Sequence, residues 1–153
     1  MVTARDIMHT GATCVLESET LETAARRMRE LDVGALPVCG TDDRLHGIVT
    51  DRDIVVKCLA EGRDPRTTTA GDLAEGKPVT IGADADQGEV LRLMEEHRIR
   101  RLPVIEAHRL VGMISEADIA RHLDQHEIAE FAAAVCAPRL SLPPRPTTGG
   151  VSR

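Results

Sequence analysis

The sequence holds no tryptophan, no tyrosine and a single phenylalanine, Phe131. Single-stranded nucleic acids are gripped by stacking bases on aromatic rings, and cages for quaternary ammonium ligands are built from the same rings, so the composition argues against both classes. Surplus positive charge is missing too. Asp and Glu number 25 against 19 Lys and Arg, which gives a net charge of −6 and a pI near 5.5, the wrong balance for a duplex DNA binder. No apolar run approaches the roughly 20 residues of a membrane span. The opening stretch MVTARDIMHT lacks the apolar centre of a secretory signal. The expected compartment is therefore the cytoplasm, with neither DNA nor membrane as partner. The four cysteines, Cys14, Cys39, Cys58 and Cys136, include no CxxC pair, so neither a thioredoxin motif nor a zinc ribbon is written.

What is present is a repeat. A chain of 153 residues, 42% of them hydrophobic, suffices for one compact domain or two small lobes. Slid against itself by 66 positions, TARDIM (3–8) falls on TAGDLA (69–74) and LPV (36–38) on LPV (102–104). After one deletion the offset becomes 65, and RLHGIVTDRDI (44–54) falls on RLVGMISEADI (109–119). Two copies point to a pseudo-twofold pair, since a solenoid needs about three.

Both copies read as β-α-β-β-α. A short strand, 13–15 or 79–81, leads to a cap at Ser18 or Asp84. Leu21, Ala24, Ala25 and Met28 then make one apolar helical stripe, repeated by Val90, Leu93, Met94 and His97. Strands around 33–39 and 99–105 follow, then a turn, a further strand, and a helix opening at Asp51 or Glu116. The expected class is α/β (α+β): unit one over 1–62, unit two over 63–126, and an extra helix over 127–136. Ile128, Phe131, Ala132, Val135 and Cys136 form the apolar face of that helix, which either caps the second lobe or meets a partner subunit. The Pro- and Gly-rich tail, 137–153, is expected to be disordered.

A tandem β-α-β-β-α unit, with LPV on one strand and G-h-h-[T/S]-x-x-D closing the next, resembles the CBS-domain family over residues 1 to about 125. The resemblance implies a paired (Bateman) module, a homodimer, and an adenine nucleotide (AMP, ADP or ATP) in the cleft between copies. It implies ligand-responsive regulation through an unknown protein partner rather than catalysis, and the stand-alone type is similar to stress- and hypoxia-related members. Asp53 and Asp118 would then hold ribose hydroxyls, and Thr50 and Ser115 would lie near phosphate. Adenine would stack among Val33, Leu36, Ile99 and Leu102.

Each element of this site has a structural counterpart. Thr50-x-x-Asp53 and Ser115-x-x-Asp118 are also capping boxes. Arg100 and Arg101 could grip phosphate bidentately or pair with Glu95 and Glu96, and strand alternation lets at most one face the cleft. Their first-copy counterparts are Gly34 and Ala35, so the second copy is the better anion site. His122 and His126, spaced i,i+4 with His97 within reach, are candidate zinc ligands or exposed helix histidines. Cys14 and Cys39 sit on adjacent strands, with Thr80 and Ile105 as counterparts, and are either a disulfide or thiols. A bridge would imply oxidising exposure, possible outside the cell. Cys58 and Cys136 read as core thiols. The competing function is a disulfide- or metal-stabilised interaction protein that binds no nucleotide. No spacing marks a nucleophile with its base, so no enzymatic activity is expected.

Overall fold

The computed structural model of the chain describes residues 1–74 and 76–136; the tail expected to be disordered lies outside them. In chain order the elements are α1 (Ala4–Ile7), β1 (Val15–Leu16), α2 (Leu21–Leu31), β2 (Ala35–Cys39), β3 (Leu45–Thr50) and α3 (Asp51–Asp53), which runs on as a π-helical turn, Ile54–Leu59. Then come α4 (Ala70–Leu73), β4 (Ile81–Gly82), α5 (Gln87–His97), β5 (Arg101–Glu106), β6 (Arg109–Ser115), α6 (Glu116–Ala120) and α7 (Gln125–Cys136).

Each copy makes a three-stranded sheet, β1-β2-β3 and β4-β5-β6. The first strand is parallel to the middle one, with Val15 opposite Val38 and Ile81 opposite Val104. The middle and third strands are antiparallel, with Ala35 opposite Thr50 and Arg101 opposite Ser115. Register slips recur at equivalent places, after Val38 and after Val104. Proline is normally excluded from central strands. Here β1 pairs only with Val38 and Cys39, so the missing N–H of Pro37 leaves the parallel ladder intact.

The first strands start later than the sequence suggests, and so do the caps. A turn follows each strand (Glu19 N–H to the Leu16 carbonyl, 2.9 Å; Ala85 N–H to the Gly82 carbonyl, 3.2 Å), which pushes the helix start past Ser18 and Asp84. Thr20 and Asp86 are the caps, accepting from the Thr23 and Glu89 amides. Of the two expected stripes, Leu21, Ala24, Met28, Val90 and Met94 are buried, while Ala25 and His97 face solvent. Both helices close on a left-handed residue, Asp32 (φ 53°) and Arg98 (φ 51°), in equivalent positions.

The packing crosses the repeat. The second copy's core, around Val90, Met94, Leu102 and Ile114, takes in Ala4 and Ile7 of α1 from the start of the chain. The first copy's core, around Leu21, Leu36 and Val49, takes in Ala70 and Leu73 of α4. Backbone bonds fasten each exchange. Ala4 and Arg5 amides donate to the Ala85 and Ala83 carbonyls at 2.8 and 3.0 Å, and Ala70 and Gly71 amides to Glu19 and Glu17 at 2.8 and 2.9 Å. The glycine of the repeated motif makes room for this. A Cβ on Gly47 would lie 2.7 Å from that of Ala74, and one on Gly112 would lie 2.9 Å from the His9 carbonyl oxygen.

Helix α7 opens two residues before its expected start and covers the second lobe, burying Phe131 and Val135 against that core. Ala132 and Cys136, expected on the same face, are exposed. Cys58 is fully buried and its thiol donates to the Arg63 carbonyl at 3.4 Å. Cys14 and Cys39 are joined, with a Cα–Cα separation of 5.8 Å, because the parallel pairing of β1 and β2 brings their strands side by side.

Two outcomes follow from this packing. Gly112→Ala should lower stability by about 1–3 kcal/mol, because beyond the Met8 side chain, which can move, a Cβ there meets the His9 backbone oxygen, which cannot swing away. Gly82→Ala, where a Cβ meets nothing within 4 Å, is the matched control; equal denaturant midpoints for the two would contradict the close-approach account. A thiol titration of denatured, unreduced protein should find two free thiols of four, and Cys14→Ser with Cys39→Ser should cost about 3 kcal/mol in the chain-entropy model.

Candidate functional site

The third strand of each sheet ends where a helix begins, and the repeated Thr/Ser and Asp sit at that junction. At the first, Asp53 N–H donates to the Thr50 hydroxyl at 3.0 Å and Thr50 N–H returns a bond to Asp53 Oδ2 at 3.1 Å. Lys57, one turn on, lies 3.3 Å from Asp53 Oδ1. At the second, the Ser115 amide and hydroxyl each donate to Asp118 Oδ2 at 2.8 Å. Both junctions are therefore capping boxes in fact as well as in spacing.

The two acids nevertheless differ. Asp53 is half-buried, while Asp118 is 4% exposed. Asp118 Oδ2 has a third partner, His9 Nδ1 at 2.7 Å, brought in by the leading segment that crosses to the second copy. Arg121 Nη1 stands 3.6 Å from the other oxygen. Burial pushes the Asp118 carboxyl upward, but the Ser115 amide, His9 and the Ser115 hydroxyl outweigh it and hold its pKa below the ordinary carboxylate value. Asp118 is thus an ionised, buried carboxylate whose Oδ2 is fully engaged.

A cleft of about 260 Å³ lies between the copies at this point, walled by Val33, Gly34 and Ala35 from the first and Arg101, Met113 and Ser115 from the second, with His9 at its edge. A neighbouring compartment of about 170 Å³ shares His9, Val33, Ala35 and Met113 and reaches Leu36. On the pseudosymmetric side a cleft of about 190 Å³ is lined by Gly47, Ile48, Pro78, Val79, Ile99 and Arg101. Three of the four expected stacking residues, Val33, Leu36 and Ile99, therefore line a cleft. The fourth, Leu102, is wholly buried in the second core.

The arginines differ in their partners, although both line a further pocket with Ser115, Glu116 and Ala117. Arg101 lines both clefts and has no ion-pair partner among the described residues. Arg100 is exposed, with its Nε 3.5 Å from Glu116 and an Nη donating to Cys136 Sγ at 3.4 Å. Neither takes Glu95 or Glu96 as a salt-bridge partner; Glu96 pairs with Arg92 along α5 at 3.0 Å.

Within one chain the three histidines are not brought together. Helix α6 stops at Ala120, so His122 lies in the turn before α7 and does not share a helix face with His126. His122 Nδ1 donates to the Asp118 carbonyl at 2.9 Å, and His126 lies 3.5 Å from Glu130. His97 is exposed at the end of α5. Among the described residues of one chain no three His, Cys, Asp or Glu side chains converge as a metal would need, so these residues do not fit a zinc ion within a single chain. His9 is the residue that sequence reasoning missed. Nothing local marks it, because its partner is 109 positions away.

Comparison with known proteins agrees with this architecture. The family model described as CBS domain matches residues 4–59 and 70–125. Hypoxic response protein 1 of Mycobacterium tuberculosis is 60% identical over 138 residues, covering 90% of this chain and 96% of that protein. The CBS domain-containing protein YhcV of Bacillus subtilis is 35% identical over 136 residues, covering 86% and 93%. Among solved structures, Hypoxic Response Protein I with two coordinated zinc ions matches with a TM-score of 0.74 at 63% identity, over 80% of this chain and all of that one. CBSX2 in complex with AMP matches with a TM-score of 0.69 at 25% identity, over 80% and 96%. With both copies matched, and the matched segments bounded where the crossing helices α1 and α4 begin, the chain belongs to the CBS-domain family as a tandem pair.

Proposed function

We propose that the chain is a non-catalytic regulatory protein that takes an adenine nucleotide in the cleft between its two copies. The observation that carries this reading is Arg101, a cation placed at the wall of both clefts beside apolar Val33 and Ile99. A guanidinium there would meet phosphate while the β-branched side chains cover a base. Ser115 would lie near the phosphate and Asp118 near the ribose; Thr50 and Asp53 would take the same roles in the first copy. Arg100, turned toward Glu116, would act as a rim charge. The AMP held by the similar CBSX2 and the naming of the Mycobacterium relative for a hypoxic response support a nucleotide-linked stress role. Regulatory rather than catalytic names among these relatives support the absence of an enzymatic reaction.

Val55, Val56 and Leu59, exposed together on the helix that follows the first motif, support a homodimer through that face. No helix of the described residues is long and apolar enough to cross a membrane. The reading places the protein in the cytoplasm, or outside the cell if the Cys14–Cys39 bridge is kept permanently oxidised.

A second reading rests on the three bonds that occupy Asp118 Oδ2 and on the bridge: a rigid interaction protein whose nucleotide site has closed. In that reading the zinc ions of the Mycobacterium relative have a counterpart here only where a second chain completes the ligand set begun by His97, His122 or His126. Isothermal calorimetry with AMP, ADP, ATP and S-adenosylmethionine separates the two. The nucleotide reading expects saturable binding by at least one, weakened at least tenfold or so by Arg101→Ala. Silence with all four ligands, together with zinc that survives dialysis at stoichiometric level, would transfer the assignment to the second reading.

A further inference from the structure

We infer that His9 decides whether the second cleft admits a ribose-bearing ligand, an inference that rests on the nucleotide reading above. A vicinal diol is held by donating both hydroxyls to a carboxylate. At Asp118 one oxygen already accepts three bonds, from the Ser115 amide, the Ser115 hydroxyl and His9 Nδ1, at 2.8, 2.8 and 2.7 Å. The Ser115 bonds belong to the helix cap and persist in any folded state. The His9 bond is different, because it comes from another element, the leading segment, whose ring lines the cleft beside Ser115.

The same ring has a second effect. His9 lines both the 260 Å³ and the 170 Å³ compartments, and its side chain is 49% exposed. With Val33, Ala35 and Met113 it stands between the space beside Arg101 and the space beside Leu36, and of these four it alone reaches Asp118. A nucleotide needs the two spaces at once, one for phosphate and one for base. Rotating the imidazole away frees an acceptor for the diol and widens the passage between the compartments. The backbone of His9 need not move for this. Its amide and carbonyl stay paired with Met113, at 3.0 and 3.2 Å, and hold the segment in place.

The first copy has no histidine in the equivalent place, and Asp53 is met instead by Lys57 of its own helix, at 3.3 Å. The residue following TAGDLA, where His9 follows TARDIM, is Glu75, and a carboxylate cannot donate a hydrogen bond to Asp53 as an imidazole does. Occupancy of the two clefts is therefore unequal, and the inequality is set by one side chain.

The test compares wild type, His9→Ala and His9→Phe by calorimetry with AMP and with 2′,3′-dideoxyadenosine 5′-monophosphate. Thermal melting confirms that each variant is folded. His9→Ala should bind AMP about tenfold more tightly, the worth of one released charge-assisted hydrogen bond. His9→Phe, which keeps a ring between the two spaces and loses the bond, should gain less. The dideoxy ligand, lacking the diol, should show no such gain with His9→Ala. Wild type that binds AMP while folded His9→Ala binds it equally or less tightly overturns the role of His9 and leaves the nucleotide reading standing. No AMP binding by either protein overturns both.

Discussion

Two motif glycines let a segment of the opposite copy lie directly against a strand, and the rest of the molecule depends on that contact. Without Gly47 and Gly112 the crossing segments would have to shift, because a Cβ at either place would meet Ala74, or Met8 and the backbone of His9. With the crossing made, α1 closes the second core and α4 the first. A repeat of this size buries too little apolar surface to be secure by itself. Exchange makes each copy complete the other, so the pair behaves as one body. The cleft between copies follows, since its walls are the strands that the crossing segments hold in register.

The repeat, the sheets and the motif junctions were legible because their signals are local: alternation, helical spacing, a capping box. The leading helices carried the same signal, Thr3-x-x-Asp6 and Thr69-x-x-Asp72, but a four-residue helix shows no hydrophobic period to accompany it. The misplaced caps at Ser18 and Asp84 have a related cause. Serine and aspartate favour turns as well as caps, and here the turn took them. His122 and His126 had ligand spacing only on the assumption of a continuous helix, which ends at Ala120. The cysteine pair was readable from strand adjacency; the exposure of Cys136 was not, because amphipathic spacing places a face without fixing where that face runs out past the core.

Pseudosymmetry makes the departures informative. Cys14 and Cys39 staple the first sheet, where the second has Thr80 and Ile105. The first motif runs into a π-helical turn, whereas the second stops after five residues and yields to α7. Arg101 serves both clefts, while its counterpart Ala35 serves neither with charge. Two copies that began alike thus share a scaffold and differ in what they place around it. The first carries the covalent staple; the second carries the cation and the buried acid.

The buried acid shows why a motif of this kind is hard to read from either side alone. A carboxylate at the third position of a helix satisfies free backbone N–H groups, and that service stabilises the fold whether or not a ligand binds. At Asp118 the other oxygen, Oδ1, accepts no hydrogen bond from the described residues and so retains lone pairs that a ligand can use. Structure and binding compete for the carboxylate only if some further donor claims the remaining capacity. At Asp53 the claimant is Lys57, on the same helix and close to solvent. At Asp118 it is His9, from the crossing segment that also builds the core. The contact that makes the two copies one body thus also delivers the third donor to the second acid, which ties access to that cleft to the packing of the pair.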